Sequence, residues 1–363
     1  MTARGRGGLD GIVEALAWSD DAALARQLDD EFVATVSDRV EAAVPADVMA
    51  GLDALPAPSQ LRLLRAPEVT RRVLFAHSPP PDAIHCLRQA LAVEAAVAAG
   101  APGPAGGWSA LGDVWFEPDG ILGRWPTLGE GAVPLDYGSP WVTRIDLTGR
   151  EEFADRERPR PSPDTVSAVH HRITAAWRGL AAIDPTIVEF VRASTTMIVL
   201  QAHDDSPHRV SSGTNGIYVG RTFITNAHAD VASVEALAEA IVHESIHGCL
   251  QRDVLDRPFT RASDDRPAIT SPWTGRPLPV RAFLEASFVW FGLVQLWAGT
   301  TGREVFDADE SRRLLLRAVR GFLAGTLVDR LAPWRDDVRP DLFELLDAMQ
   351  DVVVAAVGTS SVA

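Results

Sequence analysis

Apolar residues recur at three- and four-residue spacing along most of this chain, and this periodicity predicts a structure dominated by helices. In residues 1–100 four such segments occur, and prolines interrupt the periodicity at Pro45, Pro56, Pro67 and Pro79–Pro81, so we expect a helical N-terminal domain over this range. The predicted helices are Leu9–Leu28, Glu31–Val44, Val48–Leu64 and Ala83–Ala98.

Residues 101–163 have a different pattern, because glycine and proline cluster there and the apolar residues fall in short aromatic runs. Asp113–Phe116 and Trp141–Leu147 are predicted as β segments. Glu151–Arg160 mixes charges of both signs and is predicted to be a solvated linker. We therefore expect irregular β structure that ends in this linker.

Helical periodicity returns in residues 164–363, which we treat as a separate domain with a long central helix from about Val231 to Leu250. Two strand-like runs, Thr195–Gln201 and Gly216–Thr225, come just before that helix and are separated by the polar segment SSGTNG. This order predicts a helix-rich α+β fold in which a small sheet packs on the long helix. The other predicted helices are Asp164–Ala182, Asp184–Val191, Val280–Ala298, Asp307–Leu331 and Asp341–Val357.

The length and charge of the chain narrow the classes of function. Its 363 residues leave room for two domains and a large core. It carries 34 basic residues, all of them arginine, against 49 acidic ones, and its formal charge is −15. A protein that binds a nucleic-acid backbone needs a basic surface, so this balance argues against nucleic acid as a partner. It still allows a local pocket lined by arginine.

Cysteine content and hydropathy exclude several other classes. Cys86 and Cys249 are the two cysteines and lie far apart, which rules out a disulfide framework and CxxC-type metal sites. Any metal must then be held by histidine and carboxylate side chains. The N-terminus lacks the apolar segment of a signal peptide, and no window approaches about eighteen consecutive apolar residues. We therefore expect no membrane span and a cytoplasmic location.

The strongest chemical signal is His243-Glu244-Ser245-Ile246-His247, an HExxH motif within the long predicted helix. Histidines four residues apart lie about 40° apart around a helix, so both imidazoles point toward one ion. We predict His243 and His247 as metal ligands and Glu244 as the catalytic residue of the motif.

A catalytic metal needs a third ligand in addition to two histidines. The chain lacks the HExxHxxGxxH pattern of metzincins, and Glu285, 38 residues after His247, is the candidate. Its neighbours are apolar, and coordination would satisfy a carboxylate buried among them. The alternatives are that Glu285 lies at the surface or pairs with Arg281, and that His228 or Asp230 is the ligand.

A donor set of two histidines and one carboxylate leaves the chemistry open. With zinc it activates water, and Glu244 becomes the general base of a gluzincin-type peptidase. With iron(II) it is the facial triad of oxygenases that bind a 2-oxo acid and dioxygen. A 2-oxoglutarate enzyme also needs a cation for the distal carboxylate, and arginine suits this role because its guanidinium forms paired hydrogen bonds.

The order of segments around the motif resembles that of a known family. The segment VSSGTNGIYVG precedes the motif helix LAEAIVHESIHGCL, and the loop SPWTGRPLPV leads into the aromatic helix RAFLEASFVWFGLVQLW. Together they look like the HExxH-motif peptide-modification proteins of ribosomal-peptide (RiPP) biosynthetic clusters. The resemblance covers roughly Ser162–Gly299 and depends most on the SPW and RPL tripeptides at this distance from the motif.

Members of this family are understood as iron(II)- and 2-oxoglutarate-dependent peptide β-hydroxylases. The resemblance implies that His243 and His247 bind iron and that the third ligand lies on the helix after the SPW and RPL tripeptides. Glu285 stands there in place of the histidine that is often found in the family, and a carboxylate at this position restores the facial triad.

The resemblance also implies a co-substrate site and partners. Arg276 and Arg281 are the candidates for binding the carboxylate of 2-oxoglutarate, and Trp273 and Ser212 are candidate pocket residues. The implied substrate is a precursor peptide, and other enzymes of a biosynthetic cluster are implied partners. Three hypotheses stand at this point: this oxygenase, a gluzincin-type zinc peptidase with Glu244 as base, and a non-catalytic peptide-binding protein with a vestigial site.

Overall fold

A computed structural model of the chain describes residues 9–75, 81–131, 133–143, 161–202, 210–261, 268–300 and 304–360. Within these residues helices predominate and the strands are short, so the prediction of a helix-rich α+β fold is confirmed. The predicted linker Glu151–Arg160 lies outside the described residues.

Helices occupy most of the described chain. They are α1 (Leu9–Leu16), α2 (Ala23–Ala43), α3 (Ala46–Asp53), α4 (Ala57–Arg65), α5 (Pro67–Leu74), α6 (Pro81–Ala99), α7 (Pro140–Thr143), α8 (Pro163–Ile183), α9 (Pro185–Ser194), α10 (Val234–Asp256), α11 (Val280–Ala298), α12 (Ala308–Leu323), α13 (Leu327–Leu331) and α14 (Asp341–Ser360), with a short 3₁₀ helix at Ala332–Trp334.

The strands are β1 (Val114–Phe116), β2 (Leu122–Arg124), β3 (Thr127–Leu128), β4 (Val133–Asp136), β5 (Met197–Gln201), β6 (Ser211–Thr214), β7 (Arg221–Thr225), β8 (Ile269–Thr270) and β9 (Pro277–Leu278). The central sheet has the strand order β3-β4-β5-β7-β6. Its three inner strands are parallel, and β3 and β6 pair antiparallel at the two edges. The antiparallel pairs β1–β2 and β8–β9 lie outside this sheet.

Alternate residues of β5 face two separate hydrophobic cores, as the period of a strand requires. Ile198 and Leu200 belong to the larger core, and Met197 and Val199 belong to the smaller one. Helices α1, α8, α10, α11, α12 and α14 supply the larger core, whereas α3 to α6 pack over the other face of the sheet. Because α1 and the start of α2 lie in the larger core with the C-terminal helices, the boundary predicted near residue 100 does not separate two cores.

Helix α10 lies at the centre of this arrangement and contacts α2, α8, α9, α11, β6 and β7. It begins at a serine cap, because Ser233 Oγ accepts a hydrogen bond of 3.0 Å from a backbone N–H in the first turn. Gly248 allows α9 to approach closely, since a Cβ there would lie 2.5 Å from the carbonyl oxygen of Ser194. The buried guanidinium of Arg252 donates to that same carbonyl and pairs with Asp29 of α2.

Four elements differ from the prediction. Ser211–Thr214, which belongs to the polar segment expected to separate two strands, forms the edge strand β6, and Trp141 lies in the short helix α7 instead of a β segment. The predicted helix Leu9–Leu28 is broken where Trp18, Asp21 and Ala22 adopt positive φ angles. The predicted helix Asp307–Leu331 is divided at Gly325, whose φ of 116° is accessible mainly to glycine.

No described helix has both the length and the apolar character that a bilayer span requires.

A buried ion pair joins the N-terminal helices to the central sheet. Arg221 of β7 is fully buried, and its Nη1 donates to Oε1 of Glu68 in α5 over 2.6 Å. The ring of Tyr218 lies against the same guanidinium, 3.4 Å from its Cζ. Removing one member of such a pair leaves a buried charge without compensation, which costs far more than losing a pair at the surface.

We expect Glu68→Gln to lower the free energy of unfolding by about 3 kcal/mol or more, because Arg221 then keeps its charge in a water-free site. Urea unfolding followed by circular dichroism measures this change. The matched control is Glu189→Gln, whose partner Arg192 is exposed, and which we expect to cost less than about 1 kcal/mol. Equal losses in the two variants would contradict this account of the interface.

Candidate metal centre

The HExxH residues form a compact group on α10. The imidazole centroids of His243 and His247 are 5.2 Å apart, and Oε1 of Glu244 lies 3.9 Å from Nε2 of His243. Ligand atoms of all three residues lie within 4.8 Å of one another, and this is the one such group of histidine, cysteine and acidic residues in the described part of the chain. We call His243, Glu244 and His247 the metal group. The predicted convergence of the two imidazoles is therefore present.

Helix α11 brings a carboxylate and a guanidinium to the His247 side of this group. Oε2 of Glu285 lies 3.4 Å from Nδ1 of His247, and Nε of Arg281 donates to Oε1 of Glu285 over 2.9 Å. Arg281 and Glu285 are four residues apart on one helix face, which explains why they meet. Glu285 thus contacts both His247 and Arg281, but it lies outside the group of ligand atoms formed by His243, Glu244 and His247.

The edge strand β6 holds the glutamate of the motif. Ser212 Oγ donates to Oε1 of Glu244 over 2.7 Å, and the hydroxyl of Thr214 also hydrogen-bonds to this carboxylate. One turn beyond His247, Nε2 of Gln251 donates to Oγ1 of Thr214 over 3.2 Å. The hydroxyls of Ser212 and Thr214 therefore hydrogen-bond β6 to the face of α10 that carries the metal group.

Aromatic residues and a second ion pair line the His243 side. The indole of Trp290 stands edge-on to His243 with the centroids 6.4 Å apart, and Trp273 stacks on Trp290 at 5.9 Å. The guanidinium of Arg317 lies 5.6 Å from the centroid of Trp290 and pairs with Glu239, one turn before His243 on α10. His243 thus lies against an aromatic ring with an ion pair beside it, whereas His247 contacts the carboxylate of Glu285 directly.

This difference gives the two histidines opposite pKa shifts. Burial, with smaller contributions from His247 and Arg317, lowers the pKa of His243 to about 3, so its imidazole is neutral at neutral pH. Burial alone would also lower the pKa of His247, but the contact with Glu285 and the charges of Glu244 and Glu285 outweigh it and raise that pKa. A metal that binds at this centre must therefore displace a proton from His247 more often than from His243.

The two carboxylates are also shifted in opposite directions. Burial raises the pKa of Glu244, although His247 and the hydroxyls of Ser212 and Thr214 act against this. Burial alone would raise the pKa of Glu285 too, but His247 and Arg281 outweigh it and lower that pKa. Glu285 is therefore the more strongly ionised of the two groups, as a metal ligand or a partner of a ligand histidine should be.

The structure separates the predicted pocket residues into those at the centre and those beside it. Ser212 and Arg281 contact its carboxylates directly. Trp273 is buried, and its Nε1 donates to the carbonyl oxygen of Ala318, so this ring packs behind Trp290. The side chain of Arg276 is exposed on the β8–β9 hairpin and has no recorded contact with the centre in the described part of the chain.

The two competing ligand candidates lie at the surface. His228 is exposed, and its carbonyl oxygen accepts from Arg172 of α8. The carboxylate of Asp230 is exposed and lies 3.5 Å from the same guanidinium. Neither residue belongs to the metal group.

Sequence reasoning missed Thr214, Trp290, Arg317 and Glu239. Thr214 lies in a polar segment without the apolar alternation of a strand, and Trp290 is one ring in an aromatic helix. Arg317 is one of 34 arginines, and no local pattern marks it. The spacing of Glu239, one turn before His243, was the one available signal, because residues four apart share a helix face.

The donor set fits a divalent transition metal. Neutral imidazole and ionised carboxylate are the ligands that iron(II) and zinc accept, and both cysteines are buried outside the group. A scan against protein-family models and a search of curated protein sequences found no match to this chain.

We expect His243→Ala and His247→Ala each to lower the affinity for Co²⁺ by at least about 100-fold, because each removes one of two nitrogen donors. Equilibrium dialysis of the purified protein with metal analysis measures this. His171→Ala, which removes an exposed histidine of α8, is the control and should leave the affinity unchanged. Unaltered Co²⁺ binding in both motif variants would show that the group holds no metal.

We expect Glu285→Gln to lower Co²⁺ affinity by about 10- to 100-fold, because the amide neither ligates a metal well nor holds His247 as the carboxylate does. The absorption spectrum of the Co²⁺ protein separates these two roles, since it changes in shape when an oxygen ligand is lost. Glu310→Gln is the control, because it removes a carboxylate that pairs with Arg313 on the surface of α12. Identical affinity in Glu285→Gln and wild type would remove Glu285 from the centre.

Proposed function

We propose that this chain is an iron(II)- and 2-oxoglutarate-dependent oxygenase that hydroxylates a side-chain β-carbon of a peptide. The observation that carries the proposal is the pair of imidazoles in the middle of α10, one of which, His247, lies 3.4 Å through Nδ1 from the ionised carboxylate of Glu285 near the beginning of α11. His243, His247 and Glu285 would hold the iron, which is the donor set of the facial triad. When bound with 2-oxoglutarate and dioxygen, iron supplies oxidative decarboxylation coupled to oxygen insertion into a C–H bond.

The proposed co-substrate site uses the arginine next to the ligands. Arg281 donates through Nε to Glu285, and its side chain remains half exposed. A terminal amino group of this guanidinium lies near Gly216, on the turn that follows β6. Arg281 therefore has a free approach for a carboxylate beside the metal group, whereas Arg276 lies on the exposed hairpin.

In this proposal the other residues of the centre hold the carboxylate of Glu244 in place and limit the access of water. Ser212 and Thr214 keep the carboxylate of Glu244 turned toward β6. Trp290 covers His243 with an apolar ring and limits access of water on that side. Glu244 then has a positioning role, because its hydrogen bonds hold β6 against α10. Hydrogen-bonded neighbours of metal ligands commonly orient the ligands in this way.

One observation favours the zinc peptidase as a second candidate. Burial raises the pKa of Glu244, and its carboxylate lies within 4.8 Å of the ligand atoms of both histidines. A glutamate with a raised pKa beside a metal is suited to accept a proton from water. In that case Glu244 acts as general base, and zinc supplies the activated water.

The oxygenase proposal includes the substrate and its setting. A ribosomally made precursor peptide would be modified in the cytoplasm, together with other enzymes of the same biosynthetic cluster. The acidic surface of this chain, with a formal charge of −15, suits a basic or neutral peptide better than an acidic one.

We expect protein loaded anaerobically with Fe²⁺ and then exposed to air, 2-oxoglutarate and a candidate peptide to form succinate and a peptide product 16 Da heavier, because one oxygen atom is inserted. Mass spectrometry measures both products. We expect Glu244→Gln to reduce succinate formation by less than about tenfold, since the amide oxygen still accepts from Ser212. A peptidase would lose about 10²- to 10⁴-fold in the same variant.

Peptide cleavage that requires Zn²⁺ and survives removal of iron would overturn the oxygenase proposal. His243→Ala is the control for background oxidation by free iron, and it should form no more succinate than a sample without protein.

A further inference from the structure

Strand β6 leaves one edge of the central sheet open beside the metal group. It pairs antiparallel with β7 on one side, and in the described residues no strand pairs with its other side. A strand at a sheet edge carries backbone N–H and C=O groups that lack strand partners, and these can bind another extended chain. The edge opposite it in the same sheet belongs to β3, a strand of two residues.

The sequence of β6 lacks the features that commonly protect such an edge. Edge strands are usually protected by charged side chains, proline or a bulge. Ser211–Thr214 has none of these in its sequence of two serines, a glycine and a threonine, and its residues are exposed or half-buried. A Cβ placed on Gly213 would meet no atom within 4 Å, so the surface next to this residue is open.

Alternate side chains of β6 point to opposite faces of the sheet, and one of these faces is turned to α10. Ser212 and Thr214 point to α10, where they bond to Glu244 and Gln251. Ser211 points away and bonds to Thr225 of β7 over 2.6 Å. A strand added next to β6 would follow the same alternation, so every second side chain of that strand would face α10 and the two histidines.

We propose that the open edge of β6 binds the peptide substrate as an added strand. The identification of the bound peptide as the substrate rests on the proposed function. The main chain of the peptide supplies the hydrogen bonds, as in other cases of strand addition, and alternate side chains present their β-carbons to the metal group. The partner is thus an unfolded, extended segment whose recognition depends on its backbone.

The size of the edge argues for a peptide over a second copy of this chain. Four residues of strand extend only about 13 Å. A stable dimer needs about 800 Å² of buried surface on each partner, which so short an edge does not supply by itself. A peptide gains the same hydrogen bonds without a dimer-sized interface, and alternate side chains of an added strand would face α10.

The test selects peptides from a randomised twelve-residue mRNA-displayed library on the purified metal-free protein, and then examines the strongest binder. Hydrogen exchange should show slower exchange of amides within Ser211–Thr214 when this peptide is bound, and no change at Thr127–Leu128 on the opposite edge, which is the internal control. Methylating the peptide amides one at a time should weaken binding by about tenfold or more at every second residue, and by little at the residues between.

Three results would overturn this proposal: no enriched peptide, binding without protection of Ser211–Thr214, or a methylation pattern without alternation. Protection of these amides that rises with protein concentration in the absence of peptide would instead identify a second copy as the occupant, and would also overturn it. The same measurements on His243→Ala separate this proposal from the proposed function. Strand addition should persist in that variant even if the chain proves to bind no iron.

Discussion

Burial of most of helix α10, with only the face of His243 and His247 partly open along its middle, is the constraint around which the rest of the structure is arranged. A helix that carries two histidines, three glutamates and an arginine tolerates such burial only when partners compensate those groups. The partners come from separate elements: β6 for Glu244, α11 for His247, α12 for Glu239 and α2 for Arg252. Helix α2, near the beginning of the chain, thus supports the helix that carries the HExxH residues.

The same partners make the centre asymmetric. An indole covers His243, whose imidazole stays neutral, whereas carboxylates surround His247 and favour its charged form in the absence of metal. A substrate can approach from β6, where the walls are hydroxyls and backbone, or from the side of Arg281, where a cation is half exposed. These two approaches correspond to the two molecules that the proposed reaction must bring together, a peptide and a 2-oxo acid.

Prediction from the sequence succeeded where local physics decides the outcome. Val280–Ala298 begins and ends as predicted, because a proline precedes it and a continuous apolar run fills it. The pattern did not identify Ser211–Thr214 as a separate edge strand, because strand prediction depends on apolar alternation and this strand packs its inward face through hydroxyls. Trp273, a candidate pocket residue in the sequence, packs behind Trp290, and its Nε1 donates to the carbonyl oxygen of Ala318.

The sequence by itself determined the pair His243 and His247, since residues four apart on a helix share a face whatever surrounds them. It also determined the helix-rich class, because periodicity is a local property. Only the tertiary structure decided what each group contacts. Glu244 and Ser212 are 32 residues apart, Glu239 and Arg317 are 78 apart, and Glu68 and Arg221 are 153 apart. Such pairs form when packed elements bring distant charges into one site that excludes water, and no short-range pattern in a single sequence encodes that proximity.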